Sequence, residues 1–336
     1  MATAETNDAR VTPDRNLALE LVRVTESAAL AASQWVGRGD KLAADGAAVA
    51  AMRYTLGRIE MDGIVVIGEG EKDEAPMLYV GEEVGNGHPP QVDIAVDPID
   101  GTSLTALGMP NAIAVVALAE RGGFYSAPQG IYYMEKIAVG PEAADAIDIT
   151  KSVTENLHAV ATAKGMRVTD LTAIVLNRPR HEQIVEEIRA VGARIKFITD
   201  GDVAGVIQAA RGNGGDILLG IGGAPEAVIA AAALRCFGGA MQCRLWARTP
   251  EEHAAALASG VDMDKVLYLE DLARGDDLFF TATGITDGEL LEGVRFIGQQ
   301  AHTQSLVMRS RSGTIRKIDS IHRVDRIRQF ARPERA

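Results

Sequence analysis

The chain has 336 residues, 47% of them apolar and 24% charged, with 34 basic against 46 acidic side chains and a formal net charge of −12. That length supplies a core without covalent staples, and the acidic balance repels nucleic acid and anionic lipid, so neither is an expected partner. A phosphate ligand would have to be met locally, by bound cations or by a few placed arginines.

The polar stretch up to Asn16 lacks the apolar centre of a secretory signal. The longest uninterrupted apolar run, residues 112–119, is too short to cross a bilayer. Cys236 and Cys243 have no metal-ligand spacing and read as reduced thiols. The expectation is a cytoplasmic chain with no membrane partner.

Thr12 and Pro13 suit a helix start, and Leu17, Leu21, Val24, Ala28, Ala31 and Trp35 then recur at helical spacing until Gly37 and Gly39. A second helix is predicted over 41–59, with Val49, Met52, Leu56 and Ile59 as its apolar stripe. Stepping back along that stripe puts Asp45 in the first turn, on the face that should be buried. A helix N-terminus favours an anion there, and burial of the charge would call for a partner such as a cation. Strands are predicted at 64–67, 92–96, 112–118 and 136–139.

From about 156 to 310, strand-like runs at 172–176, 194–198, 216–221 and 278–282 alternate with helical stretches at 180–191, 202–211, 225–237 and 250–258. That alternation is the pattern of a layered α/β domain, and the Ala-rich stretch at 225–237 reads as core. The composition shift near 155 divides the chain into an N-terminal α/β domain (1–155) and a C-terminal α/β domain (156–310). Strand-like pieces at 305–309 and 314–318 are candidates to return to the first sheet, with 311–330 as the returning segment.

Three segments place carboxylates just beyond strands: Gly68-Glu69-Gly70-Glu71-Lys72-Asp73-Glu74, Asp97-Pro98-Ile99-Asp100-Gly101-Thr102-Ser103, and Gly222-Gly223-Ala224-Pro225-Glu226. Ligand sites of α/β sheets gather at the carboxyl ends of strands, so these loops and Asp45 are expected to meet. Asp97 is predicted to end its strand, with Pro98 stopping the ladder. Asp100 follows at a spacing that turns both carboxylates to one cavity, and Gly101 permits close backbone approach. Thr102 and Ser103 open a helix whose free N–H groups suit a phosphate. Five carboxylates with no neighbouring His or Cys suit hard divalent cations, and two such ions about 3.5–4 Å apart can polarise a phosphate and generate hydroxide.

Blander readings compete. A single acidic loop is most often a solvated turn, and Lys41 alone is a plain surface lysine. Gly220-Ile221-Gly222-Gly223 invites a dinucleotide-loop reading, hence an oxidoreductase. Pro225 stands where the third glycine belongs, however, and Glu226 opposes a pyrophosphate.

The run Asp97-Pro98-Ile99-Asp100-Gly101-Thr102 resembles the signature of the lithium-sensitive, Mg²⁺-dependent phosphatases, which include inositol monophosphatases and fructose bisphosphatases. A longer ordered set is similar to class II fructose-1,6-bisphosphatases over about residues 17–325. It comprises Trp35 to Lys41, Ala44 to Val49, Ile67 to Glu71, Asp73 to Met77, Tyr133 to Lys136, Pro179-Arg180-His181, Asp200-Gly201-Asp202, Gly222 to Glu226 and Ala282 to Thr286.

The resemblance implies a layered α/β/α/β/α sandwich in two subdomains, the first metal-binding and the second binding the sugar phosphate. It implies a gluconeogenic hydrolase acting on the 1-phosphate of fructose 1,6-bisphosphate with Mg²⁺ or Mn²⁺, as a homo-oligomer, dimer or tetramer. By the same resemblance Asp45, Glu69, Asp97, Asp100 and Glu226 are metal ligands. Thr102 and Asp73 align and deprotonate the attacking water, and Lys41 lies near the scissile phosphate. Asp100, Gly101, Thr102, Tyr133, Arg178, Pro179, Arg180, Asp200, Gly201, Asp202 and Gly223 meet the substrate. Two positions depart from some members: Asp100 stands where they carry Glu, and Arg178 where they carry Lys. The first is shorter by a methylene, and the second offers a planar fork to phosphate. Three rival readings stand beside this one: a dual enzyme that also takes sedoheptulose 1,7-bisphosphate, an inositol-phosphate phosphatase, and a non-catalytic sugar-phosphate sensor. The Thr102–Asp73 pair disfavours the sensor, which needs no activated water.

Overall fold

A computed structural model describes residues 16–70, 77–212 and 214–326. The strands of these residues fall into two sheets. The first contains β1 (Asp62–Ile67), β2 (Glu83–Gly85), β3 (Gln91–Asp100), β4 (Ile113–Glu120), β11 (Phe279–Gly284), β12 (Arg295–Ile297), β13 (Gln300–Arg309) and β14 (Thr314–Arg323). Their order is β12-β13-β11-β4-β3-β1-β2, with β14 paired to β13. The second contains β5 (Tyr133–Val139), β6 (Thr172–Leu176), β7 (Arg194–Ile198), β8 (Ile217–Gly223), β9 (Ala240–Trp246) and β10 (Leu267–Tyr268), in the order β10-β9-β5-β8-β6-β7. In the first sheet only β1 and β3 run parallel, and in the second β8, β6 and β7 do.

Three apolar cores bind these sheets into five layers. Helices α1 (Leu17–Ser33) and α2 (Lys41–Leu56) cover the outer face of the first sheet, where Leu21, Ala28 and Met52 meet Val65, Ile94 and Phe279. After β3 comes α3, the short helix Thr102–Leu107. Helices α4 (Val153–Ala163) and α5 (Glu182–Ala190) cover the far face of the second sheet, against Ile137, Val175 and Leu219. Between the sheets lie α6 (Asp202–Arg211) and α7 (Ala224–Phe237), in one core with Ala117 and Phe280 of the first sheet and Met134 and Cys243 of the second. The fold is therefore an α/β/α/β/α sandwich. The alanine run of α7 has a physical cause, because a helix covered on both sides by sheets needs small side chains. Ala230, Ala231, Ala232 and Ala233 are all buried there.

Several predicted elements differ in extent. The helix start at Thr12 and Pro13 falls outside the described residues, and α1 begins at Leu17. Helix α2 ends at Leu56 rather than 59, with Gly57 at its C-cap. The strand expected to stop at Asp97 runs on through Pro98 to Asp100, because a register shift between Asp97 and Asp100 breaks the ladder where proline has no N–H to give. The Asp97 carboxylate takes the Ile99 N–H at 3.0 Å instead. Helix α4, with its Ser152–Glu155 capping box, and strand β9 carry no sequence-based expectation.

The strands also divide at other points than 155 and 310. β5 lies in the second sheet because it pairs with both β8 and β9. β11 lies in the first because it closes the ladder between β4 and β13. β14 does return to the first sheet. Among the described residues no helix is long and apolar enough to cross a membrane.

The double cover of α7 makes a test. Ala231→Leu inserts three heavy atoms into a position with no room on either side, and should cost about 1–3 kcal/mol. Thermal or urea melts of the two proteins measure it.

Candidate functional site

The carboxyl ends of β1, β3 and β8 open on one cavity of about 800 Å³. β1 delivers Glu69, β3 delivers Asp97 and Asp100, and the turn from β8 into α7 delivers Glu226. Asp45 comes from α2. All five of these carboxylates line the cavity. Gly101, Thr102, Tyr133, Arg178, Arg180, Asp200, Gly201, Asp202 and Gly223 line it too. Lys41 and Pro179 stand outside the wall: the Lys41 ammonium donates to Ser103 Oγ at 2.8 Å, and Pro179 opens the short 3-10 turn Pro179–His181. Asp73 lies outside the described residues.

Crowding sets the electrostatics. Burial, then the charges of Asp45 and Glu226, push the Glu69 carboxyl up to about 7. Burial, then Asp100, Glu226 and Glu69, raise Asp97 well above the usual carboxylate range. Asp100 is raised by burial and then by Asp202. Glu226 is raised by burial and by Asp202, with Lys136 acting in the opposite sense. Asp45 is raised by burial alone. The Oε2 atom of Glu226 is buried and has no hydrogen-bond partner. Among the described residues no three of these acids converge as a ready-made ligand cluster. The donor set is nevertheless oxygen only, mutually repelling and partly orphaned, which fits a hard divalent cation.

Backbone features hold the acids in place. A Cβ on Gly222 would fall 1.9 Å from Asp202 Oδ2, and one on Gly223 would fall 1.8 Å from Glu226 Oε2. Only glycine lets these carboxylates lie against the strand end. The acidic loops before α3 and α6 also serve each other. Asp100 Oδ2 accepts the Ala204 N–H at 3.2 Å, in the first turn of α6. Asp200 Oδ2 accepts the Ser103 N–H at 3.1 Å, in the first turn of α3. Each helix start thus donates to a carboxylate from the other loop.

The same cavity also carries cationic groups. Arg180 donates Nη2 and Nε to the Ile221 carbonyl at 2.8 and 3.2 Å and lies 5.2 Å above the Tyr133 ring. Arg178 lies 3.8 Å from Asp200, and Arg248 lines the cavity with them.

Sequence reasoning missed three contributors. Lys136 is buried and pairs with Asp202 at 2.5 Å. Desolvation pulls its pKa down, but Asp202 and Glu226 outweigh that and hold it charged. Buried His181 spans β6 and β8, with Nδ1 2.7 Å from the Leu176 carbonyl and Nε2 accepting the Ile221 N–H at 2.7 Å. Burial lowers its pKa, and the accepting Nε2 requires the neutral ring. Arg248 carried no signal beyond its charge. Lys136 sits opposite Cys243 and Gly220, a pairing that only the folded sheet reveals.

Residues 15–322 match the family described as "Bacterial fructose-1,6-bisphosphatase, glpX-encoded". Fructose-1,6-bisphosphatase 1 class 2 of Escherichia coli K12 is 49% identical over 326 residues, covering 93% of this chain and 96% of its own. Fructose-1,6-bisphosphatase class 2 of Shigella flexneri matches to the same extent. The crystal structure of the extragenic suppressor protein suhB from Bartonella henselae aligns over 59% of this chain and 74% of its own, at 15% identity and a TM-score of 0.34, too weak a likeness to bear on the fold.

The crowding predicts a pH dependence of stability in chelator. The Glu69 carboxyl holds its proton more tightly folded than unfolded, so its contribution is full below about 4.5 and is lost as pH rises through about 7. The loss is on the order of 3 kcal/mol. Thermal melts in chelator should fall across that window, and Glu69→Gln should flatten the fall.

Proposed function

The chain belongs to the bacterial fructose-1,6-bisphosphatase family, and from that membership we propose that it hydrolyses the 1-phosphate of fructose 1,6-bisphosphate, yielding fructose 6-phosphate and phosphate. One observation carries the reading. A single cavity of about 800 Å³ is lined both by the acids Asp45, Glu69, Asp97, Asp100 and Glu226 and by the arginines Arg178 and Arg180. A doubly phosphorylated sugar has two anionic ends that need different treatment, one to be cleaved and one to be held. The volume falls in the range of small-molecule sites.

The five carboxylates are the proposed holders of Mg²⁺ or Mn²⁺. Bound there, such ions would neutralise phosphoryl oxygens, lower the pKa of water and stabilise the leaving oxygen. The chain's own groups do the rest. The carboxylates must be ionised, so protons leave the raised Glu69 and Asp97 as the site fills. Thr102 Oγ1, which donates weakly to the Ile99 carbonyl at 3.3 Å, is free to turn and orient the attacking water. Asp73 is its proposed partner in taking the proton.

The water oxygen joins phosphorus and the bond from phosphorus to the C1 oxygen breaks. Arg178 and Arg180 grip the 6-phosphate through charge-assisted pairs. Asp200 accepts from sugar hydroxyls, as does the oxygen of Asp202 that Lys136 leaves free. Lys41, held at Ser103, adds positive charge beside Thr102. Holding the distal phosphate lets its binding energy place the reacting end. The first-sheet side is the proposed metal-binding half, and the second-sheet side, with Arg178 and Arg180, the sugar-phosphate half. A cytoplasmic homo-oligomer, dimer or tetramer, belongs to the same proposal and is supported by family membership.

Phosphate release from fructose 1,6-bisphosphate, with and without Mg²⁺ or Mn²⁺ and then with added lithium, is the test. Parallel assays use sedoheptulose 1,7-bisphosphate and inositol 1-phosphate. Cation-dependent release from the first is expected. Preference for the inositol ester would overturn the reading, and cation binding without turnover on any substrate would point to a sensor. Two variants sharpen it. Asp97→Ala should lose at least about 100-fold in kcat while its circular dichroism stays native. Arg180→Ala should raise KM about tenfold or more, the scale of a charged hydrogen bond.

A further inference from the structure

We propose that Arg248 is a specificity-determining residue that meets the distal phosphate and so separates sugar bisphosphates from monophosphates. The inference rests on the phosphatase reading above and adds a third guanidinium to its two arginines.

The first ground is where the charge converges. Arg248 follows β9 and precedes α8 (Pro250–Ala258), and its side chain forms part of the cavity wall. Its guanidinium carbon lies 5.2 Å from the Tyr132 ring centroid and 5.9 Å from that of Tyr133. Arg180 lies 5.2 Å from the same Tyr133 ring. One tyrosine therefore gathers two like charges, and its own ring is steadied edge-on by Trp246, with centroids 6.0 Å apart. Two guanidinium groups drawn to one ring repel each other unless an anion lies between them.

The second ground is donor supply. Arg180 spends two N–H groups, on Nε and Nη2, on the Ile221 carbonyl. Arg178 spends Nη1 on its neighbour Asn177 at 3.0 Å and lies near Asp200. A phosphate ester dianion presents three terminal oxygens, each able to accept more than one hydrogen bond. The two arginines matched by resemblance are thus both partly committed, and Arg248, which itself spends Nε and Nη2 on Glu252, brings its remaining donor nitrogen, Nη1, to the same cavity.

The third ground is how Arg248 is mounted. Glu252, in the first turn of α8, accepts the Arg248 backbone N–H at 2.8 Å, its Nε at 2.9 Å and its Nη2 as well. That pair is exposed, so it aims the side chain at little energetic cost. An arriving phosphate finds the guanidinium pre-oriented and competes only with a solvent-screened carboxylate.

The experiment compares kcat/KM for fructose 1,6-bisphosphate and for fructose 1-phosphate in the wild-type enzyme, R248Q and R248K, with cation present. R248Q should lose about tenfold or more on the bisphosphate and stay within about twofold on the monophosphate, through KM rather than kcat. R248K should recover part of the loss, since it restores charge without the planar fork. Equal losses on both substrates would make Arg248 a structural residue, and no loss on either would remove it from the site. Both outcomes overturn the inference while leaving the parent reading intact. A wild-type protein that releases no phosphate from fructose 1,6-bisphosphate overturns the parent reading and this inference with it.

Discussion

Mutual repulsion among buried carboxylates is the constraint around which this fold is arranged. Asp45, Glu69, Asp97, Asp100 and Glu226 come from four places in the chain and share one cavity. Burial and the neighbouring charges raise the proton affinity of each buried member with a resolved interaction. Such a cluster is costly without counter-charge. Lys136 answers part of it from below, through Asp202 and Glu226. The remainder calls for cations, and the orphaned Glu226 Oε2 marks where an additional partner is owed.

The architecture keeps these acids from moving apart. Two sheets clasp α6 and α7, and the loops feeding α3 and α6 are tied to each other by the Asp100–Ala204 and Asp200–Ser103 hydrogen bonds. Gly222 and Gly223, by lacking a Cβ, leave the room in which Asp202 and Glu226 lie against the strand end. Neutral His181 pins the Ile221 N–H while Arg180 takes the Ile221 carbonyl, so both sides of one peptide position are fixed by adjacent residues. Acidic and cationic side chains are thereby held in one cavity. A bisphosphate can use both sets, and a single phosphate only one.

Much of this was legible in the sequence where local pattern decides structure. Helix α6 begins and ends at the predicted residues, and β6 and β7 occupy their predicted spans. Acidic loops at strand ends marked the cavity, because strands of α/β sheets present their carboxyl ends together. What pattern could not supply was pairing. β5 reads as a continuation of the N-terminal half, yet its partners lie about a hundred residues onward in β8 and β9. Pro98 reads as a strand end, yet a register shift carries the strand past it to Asp100. Lys136 and His181 were invisible as site residues because their roles depend on Asp202 and Ile221, contacts formed only when distant segments meet. Lys41, placed near the reacting phosphate by resemblance, donates to Ser103, the residue after Thr102.

The central claim is that the crowded acids exist to cage divalent cations, and calorimetric titration of the chelated protein with Mn²⁺ in two buffers of different ionisation enthalpy tests it most directly. With Glu69 raised to about 7, cation binding near neutral pH should eject protons, and the buffers should report different heats. Raising the pH well above that value should remove Glu69's share of the difference. Absence of binding, or binding with no proton release near neutral pH, would contradict the account.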